Sequence, residues 1–419
     1  MRIDLSYGKG KLPVELPPST EVIAPHHVRG LPDEHAAFVE AVRSPHGGRP
    51  LRDVAPDSGV VAIVIADITR PSPSHKMVPW ILEECGLGPD RVVIVVGTGT
   101  HRINTQPELD AMLGMDVARR YRIINHNAFE PAMLEYAGTT STGSRVLVNR
   151  DYLHADFKIV TGFIEPHFFA GFSGGPKGVI PAVAGIDTVL HLHSGPMIGH
   201  PMTTWGVLDG NPVQAEIREA ALMTHPDFVV NVTLNRDKEI TSVWAGDIVK
   251  AHIPGCAFAR KTAMRPVKAP FDVVVTTNAG YPLDQNLYQS VKGMSAAASI
   301  VNEGGAIITA AECCDGLPEH GNFRSILESY KSVPEMLRVI AASTETIHDQ
   351  WEAQVLGLIL KKARAYLVSG LPRDEVELAF MTPVASVEEA LEIEARRGNL
   401  GTVACLPEGP YTIPYLEPA

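Results

Sequence analysis

Short, continuous runs of apolar residues, rich in valine and isoleucine, recur along the chain. They occupy residues 59–66, 91–96, 157–163, 227–234 and 272–277. Runs of this length without alternation predict strands that are covered on both faces, as in a parallel sheet. Segments with helical periodicity lie between them, at about 74–86, 106–120 and 212–223. This alternation of strand and helix predicts a doubly wound α/β fold.

A second series of elements follows the proline-bearing stretch 265–270. The pattern there predicts a strand at 272–277, a helix at 288–302, a strand at 305–311 and helices around 322–360. Because 419 residues are too many for one ordinary core, two domains are expected. We predict two Rossmann-like doubly wound domains, residues 1–267 and 268–405, with an active-site cleft between them. The proline-rich tail 406–419 cannot be helical and is expected to join the first domain.

The unusual polar residues follow the carboxyl ends of these predicted strands. Asp67, Thr69 and Arg70 follow the first strand, Gly97–Arg102 follows the second, and residues 167–177 follow a later one. Open parallel sheets bind ligands at that edge, because loops and helix N-termini converge there. We therefore expect these residues to line a ligand site.

Composition and charge narrow the class of ligand. The chain has 45% hydrophobic and 20% charged residues, and its formal net charge is −12. An acidic globular protein is a poor match for nucleic acid or an anionic membrane surface, so a small-molecule ligand is expected. No stretch approaches the roughly 20 apolar residues of a membrane span, and the first residues lack the apolar core of a signal peptide. These features predict a cytoplasmic protein.

The cysteines fit a reducing compartment. There are five, which cannot all pair, and none forms a CxxC motif. They are Cys85, Cys256, Cys313, Cys314 and Cys405. We interpret them as packing residues.

The glycine loop GTGTHR, Gly97–Arg102, follows a strand as in dinucleotide-binding proteins. The fingerprint requires a third glycine at position 102, which is arginine. An ordinary nicotinamide site is therefore not favoured. The loop is still expected to offer free backbone N–H groups to a phosphate.

A second glycine-rich segment, Gly162–Gly185, surrounds Lys177. It is not a Walker loop, because Pro176 and Gly178 flank the lysine where that motif needs glycine before it and serine or threonine after it. The glycines are expected to let a bulky ligand approach the backbone, and a desolvated Lys177 suits covalent chemistry. A mobile surface loop with a solvated lysine is an equally good interpretation of this segment alone.

Histidines are concentrated in one part of the chain. Of 16, four lie within 34 residues, and His101 lies in the glycine loop. The four are His167, His191, His193 and His200. Imidazole suits both metal binding and proton transfer. One interpretation is a zinc hydrolase built on His191, His193 and His200, and another is a set of capping or surface residues.

Three further residues suit the binding of a carboxylate. Arg70 follows a strand and precedes a proline, whereas Gln289 and Lys292 are three residues apart and share one helix face. Arginine offers a planar fork and lysine a point charge. Surface ion pairing is the alternative.

Together these motifs resemble the lactate racemase family that depends on a nickel-pincer nucleotide. The likeness covers nearly the whole chain, and the order and spacing of the motifs are specific. They are YGKG (Tyr7–Gly10), DITRP (Asp67–Pro71), GTGTHR, NHN (Asn125–Asn127), PHFFAGFSGGPKGVIP, LHLHSG, AGYPLDQNLYQSVKGMSAA and Trp351. The resemblance implies an isomerase.

The resemblance also implies a cofactor and its ligands. Lys177 would hold a Ni(II)-pyridinium-3,5-bisthiocarboxylate mononucleotide covalently, and the register selects His193, rather than His191, as the protein ligand to nickel. Nickel's other ligands would be two sulfurs and a carbon of the cofactor, in the planar arrangement that suits Ni(II). Assembly enzymes for this nucleotide would be transient partners. The residues expected to contact it are Asp67, Ile68, Thr69, Arg70, Lys177, His193 and Trp351.

The implied reaction is racemisation or epimerisation of a small 2-hydroxy acid by reversible hydride transfer. Lactate is the default substrate, and malate, phenyllactate and aldonate-type acids remain open. By the resemblance, His101 and His167 are the two opposed acid/base residues. Arg70, Gln289 and Lys292 would hold the carboxylate, with Tyr288 nearby. A non-catalytic nucleotide-binding protein is a further alternative, but it has no use for two opposed bases.

Overall fold

A computed structural model describes residues 1–318 and 321–417, so the last two residues of the predicted tail lie outside the described part. The chain forms two compact units. The central unit consists of residues 27–192 and 206–260, and the terminal unit consists of residues 1–26, 193–205 and 261 onward. The predicted domain boundary between residues 267 and 268 stays a prediction.

A six-stranded sheet forms the centre of the central unit. Its strands lie in the spatial order Ile240–Gly246, Phe228–Leu234, Phe157–Phe163, Val61–Ala66, Val92–Gly97, Arg122–Asn125. All neighbours are parallel except the first two. Numbered along the chain and read from Arg122–Asn125, the order is 3-2-1-4-5-6, which is the Rossmann order. The predicted doubly wound α/β fold is confirmed.

The composition of the strands explains their position. Val61–Ala66 and Val92–Gly97 are almost entirely apolar and buried, because helices cover both faces of a parallel sheet. The helices of this unit are Glu34–Arg43, Leu51–Val54, Ser74–Cys85, Gln106–Leu113, Met115–Arg120, Arg150–Leu153, Ile186–Leu192, Pro212–Leu222 and most of His252–Ala263. Two antiparallel ribbons complete it, Leu134–Thr139 with Arg145–Asn149 and Pro166–His167 with Gly171–Phe172.

One predicted helix, 106–120, is wrong as a single element. It is interrupted at Gly114, which has a φ of 78° and ends the first helix at Leu113 before the second begins at Met115. This left-handed backbone conformation is accessible to glycine at little cost. A glycine within a helical pattern therefore marked a boundary.

The terminal unit contains a second six-stranded sheet, in which all neighbours are parallel. Its order is Thr382–Pro383, Arg364–Val368, Val301–Ala310, Phe271–Thr277, Val403–Leu406, Glu21–Val22. The first residues of the chain form a hairpin, Arg2–Tyr7 with Gly10–Glu15. The tail is not helical except for a short turn at Gly409–Tyr411, and its strand Ile413–Leu416 pairs with Met264–Val267.

Helices of the terminal unit are Gly195–Ile198, Leu287–Ala298, Phe323–Glu328, Val333–Ala342, Gln350–Lys362, Arg373–Leu378 and Val387–Arg396. The predicted end of the helix at 302 is wrong. The helix ends at Ala298, and Val301 already pairs with Phe271 in the sheet. A β-branched residue opposite an apolar partner favours this extended pairing.

No helix within the described residues is long and apolar enough to cross a membrane.

Each sheet has a position at which the strand order reverses. In the central unit this point lies between Val61–Ala66 and Phe157–Phe163. In the terminal unit it lies between Phe271–Thr277 and Val403–Leu406. Loops leave the sheet in opposite directions at such a point and open a crevice for ligands. The segments after these strands carry the candidate site residues.

Candidate active site

The turn after the first strand of the central sheet is organised by Asp67. This carboxylate is only 4% exposed. Its Oδ1 accepts hydrogen bonds from the backbone N–H of Thr69 at 2.8 Å and from the Thr69 hydroxyl at 2.5 Å. The backbone N–H of Arg70 donates to the Asp67 carbonyl at 3.0 Å. The side chains of Thr69 and Arg70 are exposed at a turn of fixed shape.

The other oxygen of Asp67 contacts His101 across the two neighbouring strand ends. Asp67 Oδ2 lies 3.0 Å from His101 Nδ1. A carboxylate accepts only, so this contact favours the tautomer with the proton on Nδ1. His101 Nε2 then carries a lone pair, and it lies 3.5 Å from Nη2 of Arg70. The imidazole is 40% exposed and oriented as a base.

The ionisation of Asp67 reflects these contacts. Burial raises the pKa of the carboxyl, but the hydrogen bond and charge of His101, with the Thr69 hydrogen bond and the Arg70 charge, outweigh burial and lower it to about 2. The group is therefore a carboxylate at neutral pH. The sequence predicts that Asp67 contacts a cofactor, and it does not predict the hydrogen bond between Asp67 and His101.

Two asparagines that the sequence analysis did not assign support the same turn. Asn125 Oδ1 accepts from the backbone and side-chain N–H groups of Asn104, at 2.9 and 3.0 Å. Asn104 Oδ1 in turn accepts from the backbone N–H of Ile68 at 3.1 Å. Asn125 belongs to the NHN motif, which is the feature of the sequence that indicates it. The backbone of Ile68 is fixed by this chain of amides.

The loop after the second strand packs against protein. Gly99 N–H donates to the Ala182 carbonyl at 2.9 Å, and His101 N–H donates to the Thr98 carbonyl at 2.9 Å. A Cβ at Gly97 would lie 2.8 Å from Cβ of Ala182. The expectation that these loop amides are free for a phosphate is thus wrong for Gly99 and His101.

His167 lies in the short ribbon after the fourth strand along the chain. Its Nδ1 accepts from the backbone N–H of Ala170 at 3.2 Å and faces that of Phe169 at 3.5 Å. The neutral ring therefore carries its proton on Nε2. The centroid of the imidazole lies 4.5 Å from that of Phe169, with the rings nearly perpendicular. His101 and His167 are thus held in opposite neutral tautomers.

Lys177 lies half-buried in a single 3-10 turn, Gly175–Gly178. The glycines before it have φ values of 76° at Gly174 and 52° at Gly175. A Cβ at Gly175 would lie 2.4 Å from Cγ of His252. The expectation that these glycines admit a bulky ligand is corrected, because protein atoms fill the space beside them.

In the terminal unit, aromatic contacts join three of the candidate residues. His193 is 6% exposed, and its ring centroid lies 4.4 Å from a ring centroid of Trp351. The Trp351 indole N–H donates to the Tyr288 hydroxyl at 3.2 Å. Trp351 therefore contacts both His193 and Tyr288.

Two acidic residues that the sequence analysis missed lie beside this cluster. Burial raises the pKa of Tyr288 well above its ordinary value, and the charges of Glu352 and Asp349 add to the effect, so the phenol stays protonated. Glu352 is 1% exposed. Burial raises the pKa of its carboxyl well above the ordinary value although the Lys292 charge opposes this.

Gln289 and Lys292 lie on one face of the helix Leu287–Ala298. Asn286 caps this helix, with its Oδ1 accepting from the Gln289 N–H at 3.0 Å. Lys292 Nζ donates to Gln289 Oε1 at 2.7 Å. The positive end of a helix dipole and an ammonium group are thus found in the first turns of one helix.

The proposed zinc cluster finds no support in the geometry. His191 belongs to the central unit, and its Nε2 lies 2.8 Å from the Thr142 hydroxyl. His193 and His200 belong to the terminal unit. Within residues 1–318 and 321–417, no group of three or more His, Cys, Asp or Glu side chains is arranged to hold a metal ion.

Comparison with known proteins decides the family. Residues 7–206 match the profile of the lactate racemase N-terminal domain, and residues 267–413 match that of the lactate racemase C-terminal domain. The chain belongs to the lactate racemase family. It is therefore an enzyme of the isomerase class, as the resemblance of its motifs predicted.

Two relatives match this lactate racemase family member over most of its sequence. Lactate racemase of Thermoanaerobacterium thermosaccharolyticum is 35% identical over 423 residues, covering 97% of each chain. Lactate racemase of Lactiplantibacillus plantarum is 35% identical over 383 residues, covering 90% of each.

Solved structures agree with the fold. The lactate racemase apoprotein from T. thermosaccharolyticum superposes with a TM-score of 0.93 at 34% identity, covering 99% of this chain and 100% of that one. A Thermotoga maritima protein superposes with a TM-score of 0.68 at 19% identity, covering 93% and 100%, which is a likeness of fold alone.

Proposed function

We propose that this member of the family interconverts the two configurations of a small 2-hydroxy acid, with lactate as the first candidate substrate. The observation that carries the proposal is the Asp67–His101 pair beside Arg70, which follows the carboxyl ends of two neighbouring strands of the central sheet. A base next to a guanidinium suits a substrate that presents a hydroxyl beside a carboxylate. The names of the two curated relatives favour lactate.

In this mechanism His101 takes the hydroxyl proton at Nε2. Asp67, 3.0 Å from Nδ1, holds the ring in the required tautomer and stabilises the imidazolium that forms. Because the pKa of Asp67 is lowered to about 2, the proton stays on His101 and does not pass to the carboxylate. Solvent exchange at the 40% exposed ring resets it for the next turnover.

His167 acts on the opposite face of the substrate carbon. In its neutral form the Nε2–H donates a hydrogen bond to the substrate oxygen. Transfer of the proton requires the imidazolium form, in which Nδ1 also carries a proton and gives up its contacts to Phe169 and Ala170. Those contacts, at 3.5 and 3.2 Å, are lost when Nδ1 is protonated, at a cost of about 1–3 kcal/mol for a buried donor left without an acceptor. The two histidines exchange roles when the other enantiomer is the substrate.

Arg70, Gln289 and Lys292 bind the substrate carboxylate in this proposal, and Tyr288 lies near the substrate. The Lys292 ammonium and the helix N-terminus supply positive charge, and the Gln289 amide orients the ammonium at 2.7 Å. Because one end of the substrate is fixed, the keto group of the oxidised substrate can turn while the carboxylate stays bound.

The residues present fit the nickel-pincer nucleotide. His193 is 6% exposed with its ring against Trp351, and it would supply one imidazole ligand to nickel, the remaining ligands coming from the bound cofactor. The Lys177 amine is the group for covalent attachment, and Asp67, Ile68, Thr69, Arg70 and Trp351 would contact the nucleotide. When bound, the cofactor supplies reversible acceptance of the hydride from the substrate carbon. Its assembly enzymes would be transient partners.

The test measures the mass of the protein, its metal content and its action on single enantiomers. Protein coexpressed with cofactor-assembly enzymes is analysed by intact mass, peptide mapping and metal content, then assayed with single enantiomers of lactate, malate, phenyllactate and an aldonate. We expect added mass at Lys177, nickel, and racemisation of one acid. The Lys177→Ala variant is the control and should lose the added mass. Zinc, an unmodified Lys177 and no racemisation, with a working assembly pathway, contradict the proposal.

A further inference from the structure

Asn231 is a buried amide in a largely apolar strand. It lies within Phe228–Leu234 and is 1% exposed. Burying an amide is unfavourable unless it is hydrogen-bonded. Its Oδ1 accepts from the backbone N–H of Gly175 at 2.6 Å, and its Nδ2 donates to the Val230 carbonyl at 3.2 Å. The amide therefore acts on the loop that carries Lys177.

His252 holds the same loop from the helix His252–Ala263. It is 2% exposed, and its Nε2 donates to the Ser173 carbonyl at 2.9 Å. Burial lowers the pKa of the ring to about 4, so the donor is neutral at physiological pH. Cys256 Sγ also lies 3.1 Å from Nε2. The ring packs directly on Gly175, as the 2.4 Å approach of an added Cβ shows.

These two contacts fix the backbone on both sides of Gly174. A Cβ at Gly174 would lie 2.7 Å from Cγ1 of Ile164 and 3.0 Å from Oδ1 of Asn231. The loop therefore has no room to shift toward the sheet. Its carbonyl at Ser173 and its amide at Gly175 are both held by side chains from other elements, immediately before Lys177.

We propose that Asn231 and His252 are positioning residues, which hold the loop Ser173–Lys177 so that the Lys177 amine is presented for attachment of the cofactor. The inference rests on the proposed function of Lys177. A role confined to the stability of the sheet would change the melting temperature of a variant and leave the reactivity of Lys177 unchanged. The two roles therefore differ in a measurable quantity.

The test uses the full chain produced without cofactor-assembly enzymes and acetic anhydride as the probe. Competitive acetylation gives the rate at Lys177 relative to exposed Lys238 in the same unit. We expect Asn231→Ala to raise this ratio about tenfold, because loss of one buried hydrogen bond lets the loop open and exposes the half-buried Lys177 amine to solvent while its fixed position is lost. Hydrogen exchange of peptides covering residues 173–178 should rise similarly. Asn149→Ala is the matched control, since Asn149 is also buried and accepts backbone N–H bonds in this unit.

A second pair of variants covers the case in which Asn231→Ala does not fold. His252→Leu removes the donor to Ser173 and should also raise the ratio, whereas His252→Gln retains an N–H at a similar position and should restore it. The proposal is overturned if the acetylation ratio in Asn231→Ala equals that in the control Asn149→Ala. If Asn231→Ala does not fold, His252→Leu is compared with the same control. The probe needs no nucleotide, so this result is independent of whether the proposed function is correct. In coexpressed protein, the fraction of Lys177 carrying added mass should fall in the same variants.

Discussion

Two buried carboxylates, one in each unit, have opposite ionisation behaviour. Asp67 in the central unit and Glu352 in the terminal unit are both largely withdrawn from water, and burial raises the pKa of both. Asp67 accepts from Thr69 and His101, and its pKa falls to about 2. Within the described residues Oε1 of Glu352 has no hydrogen-bond partner, and its pKa is raised. Because both carboxyls are buried, the hydrogen-bond donors and charges around each one account for the difference between them.

The difference assigns different tasks to the two units. A permanently ionised Asp67 keeps a partly exposed histidine in one tautomer. Glu352 lies within the electrostatic reach of Lys292 and Tyr288, two residues that we propose to lie at the substrate. The first arrangement is suited to moving a proton, and the second to holding charges in place.

The largest effect is expected from replacing His101, the proposed base of the central unit. We expect His101→Gln to lower kcat about 10³-fold, because general-base catalysis contributes roughly a hundred to ten-thousand-fold. Chiral chromatography of single-enantiomer assays measures the effect. Cofactor content and melting temperature should match those of the parent protein, and a kcat within twofold of the parent would contradict the assignment.

A smaller effect is expected from Asp67→Asn, which keeps the shape and removes the charge. Loss of an orienting partner costs about 10- to 100-fold in activity.

Since the pKa of Asp67 is depressed, its contribution to stability is present above the ordinary value of 3.8 and is lost only as pH falls through about 2. Activity profiles between pH 5 and 9 should therefore show no step from Asp67. A step that disappears in Asp67→Asn would disagree with the depressed pKa.

Glu352→Gln tests the buried carboxyl of the terminal unit. A carboxyl with a raised pKa stabilises the fold at pH values below its ordinary 4.5, and this contribution is lost as pH rises through the raised value. The variant should gain about 1–2 kcal/mol in free energy of unfolding relative to the parent at pH 9 and little at pH 5. Urea denaturation at both pH values measures this. An equal difference at the two pH values would show that ionisation of Glu352 is not involved.

The smallest effect is expected for Trp351→Phe. It retains an aromatic ring beside His193 and removes the indole N–H that donates to Tyr288 at 3.2 Å. We expect a loss of about 1 kcal/mol in free energy of unfolding. Tyr288→Phe removes the same bond from the other end, so the double variant should lose less than the sum of the two single variants. Strict additivity would contradict a direct interaction.

The apolar runs predicted the main strands, and the residues after them predicted where polar side chains would gather. Asp67 and His101 are 34 positions apart, yet both follow neighbouring strands, so their proximity follows from topology. Their hydrogen bond and its consequence for tautomers could not be predicted, because side-chain orientation depends on the turn that Thr69 completes.

Other features had weaker signals. The asparagine inside the apolar run 227–234 was a visible anomaly whose partner, Gly175, is 56 residues away. Glu352 follows Trp351 directly, but nothing in its neighbours along the chain indicates that the helix turns it inward. Gly114 lies inside the helical pattern 106–120, which alone predicts one helix, although glycine disfavours a helix interior.

The division of the chain into two units limits where it can be divided into fragments. The backbone passes from one unit to the other four times, after residues 26, 192, 205 and 260. A fragment ending at residue 206 lacks Phe228–Leu234 and Ile240–Gly246, and so leaves the central sheet with an open edge along Phe157–Phe163. A fragment beginning at 267 lacks both the first hairpin and the short strand Glu21–Val22. Neither fragment therefore contains all the strands of its own sheet, and we expect each to be less stable than the whole chain.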